Sequence, residues 1–221
     1  MKKKIFLPVI LLATFIQCSK DKDSDNSPVE LTKGLLAVFK FDTNMADSTG
    51  NISQVGFSAA ELDNVDDRKG NIGLAKIFTG GYWTAGINPK WQANPFTISF
   101  WMSRADNVSN KFFLSSNSGA IAFAQNGTKV GFVVSTPTIS TAFAETEDGW
   151  NHIVGTYDGE NVRTYVNGKL GASLSNPGNP ELIGGIRLGT INGVSWHGTL
   201  DEFRFYNRVL SDKEIAVLAK M

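Results

Sequence analysis

A chain of 221 residues with 21 basic and 21 acidic side chains, 42% hydrophobic and 19% charged, has an ordinary globular composition and lacks the basic excess of a nucleic-acid groove. Its length suffices for one sizeable core, and because all-β sandwiches commonly reach this size as one domain, a second domain is not required. The single cysteine, Cys18, excludes a disulfide framework within the chain.

The N-terminus reads as an address. Lys2, Lys3 and Lys4 precede the apolar run "IFLPVILLATFI", which is too short to span a bilayer and has the positive-then-apolar order of a secretory signal. Read as a buried first strand instead, it would hold three lysines at its mouth and Pro8 inside it. The stretch "LLATFIQCSK" resembles the end of a bacterial lipoprotein signal, in which Cys18 becomes the lipid-bearing first residue of the mature protein. Residues 1–17 are therefore expected to be removed, taking three lysines and leaving 18 basic against 21 acidic residues. Residues 18–34 include "SKDKDSDNSP", all polar and ending in Pro28, and are expected to form a flexible tether. The acidic residues soon after Cys18 resemble signals that carry some Bacteroidetes lipoproteins to the outer face of the outer membrane. Anchoring on the inner face is the alternative.

Residues 35–221 are expected to form one domain. No long polar linker, charge block or solenoid-period repeat interrupts them, and short runs such as "LLAVFKF", "FTISFWMS", "KVGFVVS", "NHIVGTY" and "TLDEFRFYN" are separated by glycine and asparagine. Many short strands and almost no helical periodicity predict an all-β sandwich. One helix is expected at 212–219, with Ser211 as N-cap, Glu214 three residues on in capping-box position, and Ile215, Leu218 and Ala219 on a short apolar face. Asp158-Gly159 and Asn167-Gly168 bracket a strand on which Val162, Thr164 and Val166 share one face, because tight hairpins favour residues that tolerate positive φ. Phe39 and Phe41 near one end, and Phe203 and Phe205 near the other, alternate with polar or small residues and read as core.

"DGWNHIVGTYDGENVRTYVNGKL" followed by "LDEFRFYNRVLSDKEI" resembles the laminin G-like group of concanavalin A-like jelly rolls, and "LLAVFKFDTNMADSTG", "GGYWTAG" and "FTISFWMS" resemble that family's earlier strands in the right order. The resemblance covers residues 35–215. It implies two curved antiparallel sheets with the first and last strands adjacent, and a core holding Trp101, Trp150 and a structural His152.

The same resemblance frames the acidic clusters. Glu61, Asp63 and Asp66 have a spacing that could serve a glycosidase, whose two carboxyl groups must flank the scissile bond. The laminarinase-like members carry Glu-x-Asp-x-x-Glu on a strand, whereas here the third residue is aspartate and the run leads into "DDRKGNIG", a polar connection that offers a general acid no shelter from water. A concanavalin A-like glycoside hydrolase is thus the disfavoured reading, and no catalytic residues are assigned. His197 beside Trp196 has no partner at metal spacing, so zinc is not expected. The loop "FDTNMADSTG" concentrates Asp42, Asn44, Asp47 and Ser48, oxygen ligands that suit a hard cation. The resemblance implies a structural calcium held by Asp42 and Asp47 together with Asp201; a solvated Asx-rich turn is the plain alternative.

Tyr82, Trp83, Trp91 and Trp196 are flanked by glycines and polar turns and are expected to be exposed rings for stacking on sugars. The functional expectation is a non-catalytic binding module on the cell surface, anchored in the outer membrane through its lipid, with a glycan as ligand. The alternatives are a protein-binding adhesion or assembly module and a purely structural domain. Nucleic acid is not expected as a partner.

Overall fold

The computed structural model describes residues 28–221 apart from 43, 53–54, 58–61, 87–93, 136–138 and 181–184. The expected lipidation at Cys18, the segment preceding Pro28, Glu61 and Trp91 lie outside the described residues. In chain order the strands are β1 (Leu35–Phe39), β2 (Val55–Phe57), β3 (Leu62–Val65), β4 (Ala75–Thr79), β5 (Tyr82–Ala85), β6 (Phe96–Arg104), β7 (Lys111–Ser116), β8 (Ile121–Asn126), β9 (Lys129–Ser135), β10 (Ile139–Glu145), β11 (Trp150–Tyr157), β12 (Asn161–Val166), β13 (Lys169–Ser175), β14 (Ile186–Gly189) and β15 (His197–Tyr206); the helix is α1 (Asp212–Leu218). One antiparallel sheet runs β13-β12-β11-β6-β15-β4-β3 with β1 also on β15, and the other runs β10-β9-β8-β7-β14-β5-β2. This is the expected jelly-roll sandwich. Its first and last strands pair, Phe39 opposite Phe203 and Ala37 opposite Phe205.

Period-two alternation decides which side chains meet between the sheets. On β6, Phe96, Ile98, Phe100 and Met102 enter the core, while Thr97, Ser99, Trp101 and Ser103 take the outer face. Phe39, Phe41, Phe203 and Phe205 are buried as expected. The rings interlock edge to face: Phe100 meets Phe123 at 4.9 Å, and Phe39 meets Trp83 at 4.6 Å. Close approach of the sheets needs a missing side chain at Gly155, where a Cβ would sit 2.5 Å from the Phe132 ring. Thr164 bridges the layers, its hydroxyl donating to the Ala142 carbonyl at 2.6 Å and accepting from Phe132 N–H at 3.0 Å.

Local chemistry fixes the outer layer. The β12–β13 hairpin turns on Asn167 and Gly168, with φ of 51° and 81°. Helix α1 has the expected capping box between Ser211 and Glu214, and packs Ile215 and Leu218 on Val154, Tyr165 and Tyr206. Glu214 also pairs with Arg208 at 2.7 Å, and Arg208 donates to the carbonyls of Glu30 and Lys33, so the incoming chain is tied to this corner. The cleft of about 420 Å³ lined by Pro28, Glu30, Lys33, Arg208 and α1 is this junction.

Two expectations are corrected. Trp101 and Trp150 are half-buried on the sandwich exterior, because each falls on the outward phase of its strand, β6 or β11. The acidic run is also less loop-like than expected: Leu62–Val65 pairs with β4 as an edge strand, while Asp63 and Asp66 are exposed.

Candidate functional site

Of the four aromatic residues expected to stack on a ligand, Trp83 and Trp196 are fully buried. Trp83 lies on the inward phase of β5, opposite Leu188, and Trp196 lies flat on Phe113 at 4.9 Å with its indole N–H donating to Gln125 Oε1 at 2.7 Å. Gly198 makes room for that indole, since a Cβ there would collide with it. Both tryptophans are core residues rather than ligand platforms, and for Trp196 the nearby glycine that suggested exposure is what lets the ring pack.

Tyr82 is different. One residue earlier on β5, it takes the outward phase and lies half-buried on the outer face of the seven-stranded sheet. The Arg187 guanidinium stacks over its ring at 3.9 Å. Register places Arg187 of β14 between Thr84 of β5 and Ser115 of β7, so these three side chains form one row across the outer face. Beyond Ser115 the same row continues through Ala122 and Val133, part of a small apolar cluster with Ala124 and Phe143.

Beside this row is a cavity of about 280 Å³ lined by Ser115, Ser116, Asn117, Ser118, Gly119, Arg187, Ile191 and Asn192. Its rim is preformed by two tight turns. Gly119 N–H donates to the Ser116 carbonyl at 2.9 Å, and the second turn closes through reciprocal bonds between Ile191 and Val194, with Asn192 at φ 50°. Among the described residues, the lining offers hydroxyls, two amides and a guanidinium, and contains no Asp, Glu, His, Cys or Lys. Such a set can orient polar ligand groups. None of these described groups is suited to shuttle a proton near neutral pH.

A Ser–His pair elsewhere invites an enzymatic reading. Ser99 Oγ lies 2.9 Å from His152 Nε2, yet both side chains are fully buried and His152 Nδ1 has no partner to orient it. Burial, with the nearby positive charges of Arg204 and Arg68, pushes the imidazole down to about 3, so it stays neutral. A nucleophile would need access to substrate and a base able to take its proton. His152 has the structural role expected.

The acidic residues expected to hold calcium have other tasks. Asp47 Oδ1 accepts from Val38 N–H at 2.9 Å and Thr49 N–H at 3.0 Å; Oδ2 accepts from Thr49 Oγ1 at 2.6 Å, Asn51 N–H at 2.9 Å and Ile52 N–H at 3.1 Å. Burial raises this carboxyl, but the hydrogen bonds from Thr49, Val38 and Ile52 outweigh it and hold Asp47 below its ordinary range. With about four lone-pair sites and five donors, Asp47 does not fit a calcium ligand. Asp201 Oδ2 receives Arg68 at 2.7 Å, and the same guanidinium covers the Trp101 ring at 4.6 Å. Burial, aided by the charge of Glu202 and opposed by Arg68, pushes Asp201 up to about 7. Asp42 is half-buried and raised chiefly by burial. Among the described residues, no three His, Cys, Asp or Glu side chains are grouped to hold a metal ion.

Comparison with solved structures gives the same architecture at low identity. The binding domain of botulinum neurotoxin DC in complex with SialylT superposes with a TM-score of 0.70 at 14% identity, over 86% of this chain and 52% of that one. The same toxin's binding domain in complex with rat synaptotagmin II gives 0.68 at 16%, over 85% and 51%. Domain 4 of AbnA, a GH43 extracellular arabinanase from Geobacillus stearothermophilus, in complex with arabinotriose, gives 0.66 at 19%, over 84% and 98%. The chain thus spans about half the length of the toxin binding domains and nearly all of the arabinanase domain. No curated protein matches. A family model described as the concanavalin A-like lectin/glucanases superfamily matches residues 79–216, more than half of the chain, from the strand before Tyr82 through most of α1. With that match and the paired jelly-roll sheets, the chain belongs to the concanavalin A-like lectin/glucanases superfamily.

Proposed function

We propose that this protein is a non-catalytic, glycan-binding module, held at the surface of the outer membrane by a lipid on Cys18 and by the tether that follows it; the tether is shorter than the expected 18–34, because Glu30 and Lys33 are docked on Arg208. The observation that carries the glycan reading is the corner of the seven-stranded sheet where Tyr82, Arg187 and the hydroxyl- and amide-lined cavity meet. Sugars are held by donors and acceptors placed around their hydroxyls, and the described residues of this corner supply them from serine, asparagine and arginine side chains. Relatives of the same fold have been solved with arabinotriose and with SialylT, which supports a carbohydrate ligand by analogy. The tether would enter beside α1, where Arg208 holds the carbonyls of Glu30 and Lys33. A glycan array with the purified protein tests the reading, with captured glycans re-tested against a Ser115→Trp variant that fills the cavity. Capture that Ser115→Trp abolishes without lowering the melting temperature supports it; an array without signal counts against it.

A protein ligand is the second reading, favoured by β13. This strand forms the edge of the eight-stranded sheet and exposes Leu170 and Leu174 at 52% and 43%. An open edge with apolar side chains can take an added strand from a partner.

A further inference from the structure

The described arginines are paired with acids in every case but one. Arg68 lies on Asp201, Arg104 on Asp148, Arg163 on Asp158, Arg204 on Glu202 and Arg208 on Glu214, each within 2.7 Å. Arg187 has no carboxylate partner among the described residues, and its Nε is buried without an acceptor. Its flat face is occupied by Tyr82, which holds the guanidinium plane in place, and it lines the 280 Å³ cavity whose other described residues are neutral. A partly buried cation without a counter-charge is an unfavourable arrangement in the free protein, and an arriving anion relieves it.

We infer that the cavity beside Arg187 takes the carboxylate of an acidic sugar, with the guanidinium as its counter-ion and the neighbouring serine and asparagine groups meeting the sugar hydroxyls. This rests on the glycan reading above and narrows it to sugars that carry a carboxylate. Arginine suits the task because its planar fork presents parallel N–H donors to the two carboxylate oxygens, and charge-assisted bonds of this kind are about twice as strong as neutral ones. Stacking on Tyr82 fixes the plane of the fork before the ligand arrives, so less side-chain freedom is lost on binding. Ser115 lies opposite Arg187 in the register of β7 and β14, and its side chain belongs to the same lining. The cavity, about 280 Å³, lies just below the roughly 300–1,000 Å³ usual for ligand sites, which favours a single charged residue of a chain over a long buried stretch.

Carboxylate sugars come as uronates and as sialic acids, and titration calorimetry separates them. The probes are tetragalacturonate with its carboxyl-reduced neutral counterpart, and 3′-sialyllactose with lactose. The inference expects at least one acidic probe to bind tenfold or more tightly than its neutral partner, with the difference shrinking at high salt. Arg187→Gln should reduce that probe to the neutral level, and Arg187→Lys should recover part of the loss, while both variants melt within about 2 °C of the parent because the changed charge has no acid partner to orphan. Equal binding of acidic and neutral probes, unaltered by Arg187→Gln, overturns the inference and leaves the glycan reading intact. A preference for an acidic probe that survives Arg187→Gln also overturns it, since the carboxylate would then be read elsewhere. Absence of binding by all four probes overturns it for both acid classes, and a silent glycan array alongside would remove the glycan reading as well.

Discussion

Asp47 offers a sharp test of how the first strand is held, because one carboxylate organises the loop that follows it. Replacing it with alanine removes the acceptor for five donors, and the consequences differ among them. Thr49 and Asn51 are open enough to turn to water, whereas Val38 and Ile52 are each only 8% exposed and their N–H groups would be left without a partner. At about 1–3 kcal/mol for each buried donor left unsatisfied, Asp47→Ala should cost roughly 2–6 kcal/mol. For a domain of this size a kilocalorie shifts the melting temperature by about 2–4 °C, so a fall of roughly 10 °C is the central expectation. Asp47→Asn keeps one acceptor oxygen and should fall by less. Because the folded state holds this carboxyl below its ordinary value, its contribution is complete above the unfolded pKa and is lost as pH drops through the folded one. Melts at pH 7 with added calcium, and again with excess chelator, separate this role from metal binding. The parent should melt at the same temperature in both, since Asp47 is saturated by N–H and O–H donors. An Asp47→Ala variant within about 2 °C of the parent would refute the reasoning. So would a calcium-dependent rise in the parent that the variant lacks.

Trp83→Ala and Trp196→Ala should each lower stability by about 3–5 kcal/mol, visible as an earlier denaturant midpoint, because both rings fill the core; a melt equal to the parent would place them outside it. His152 should make stability pH-dependent: its folded pKa of about 3 lies below the unfolded 6.5, so stability present above 6.5 is lost as pH falls towards 3, about 2 kcal/mol by pH 5. Asp201, raised to about 7, has the opposite slope over roughly pH 4–7, so the reading is the difference between the parent and His152→Gln, which should narrow as pH falls from 7 to 5. A constant difference would show that His152 does not titrate as described. Mass spectrometry of the membrane fraction should find a lipidated Cys18 as the first residue; an intact N-terminus or a cut elsewhere would exclude that anchor.

The sandwich was legible in the sequence because its signals are local. The alternation in "FTISFWMS", the Asn167-Gly168 turn and the Ser211–Glu214 box each act over a few residues, and each appears where the pattern puts it. The tryptophans were misread for the opposite reason. Glycine and polar neighbours around Trp83 and Trp196 looked like a rim, yet the phase of β5 and the gap at Gly198 turn both rings inward. Trp101 was misread conversely: its strand is a core strand, but it stands on the outward phase, where Arg68 covers it. Asp47 and Asp201 show the same limit in the polar residues. The resemblance implied a common ion, while folding hands one carboxylate to backbone N–H groups and the other to an arginine 133 residues away. Arg187 drew no attention in the sequence, because its stacking on Tyr82 and its missing acid partner among the described residues are tertiary facts that no local pattern carries.

The central claim is that ligand is taken at one corner of the seven-stranded sheet, and backbone amide shift mapping tests it most directly. The isotope-labelled protein is titrated with the oligosaccharide that binds best, and the perturbed amides are placed on the fold. The account predicts a compact set around Tyr82, Ser115, Asn117, Arg187 and Asn192, weakened in Arg187→Gln. Perturbations gathered instead along β13 at Leu170 and Leu174, with the Arg187 corner silent, would contradict it and move the ligand site to that edge.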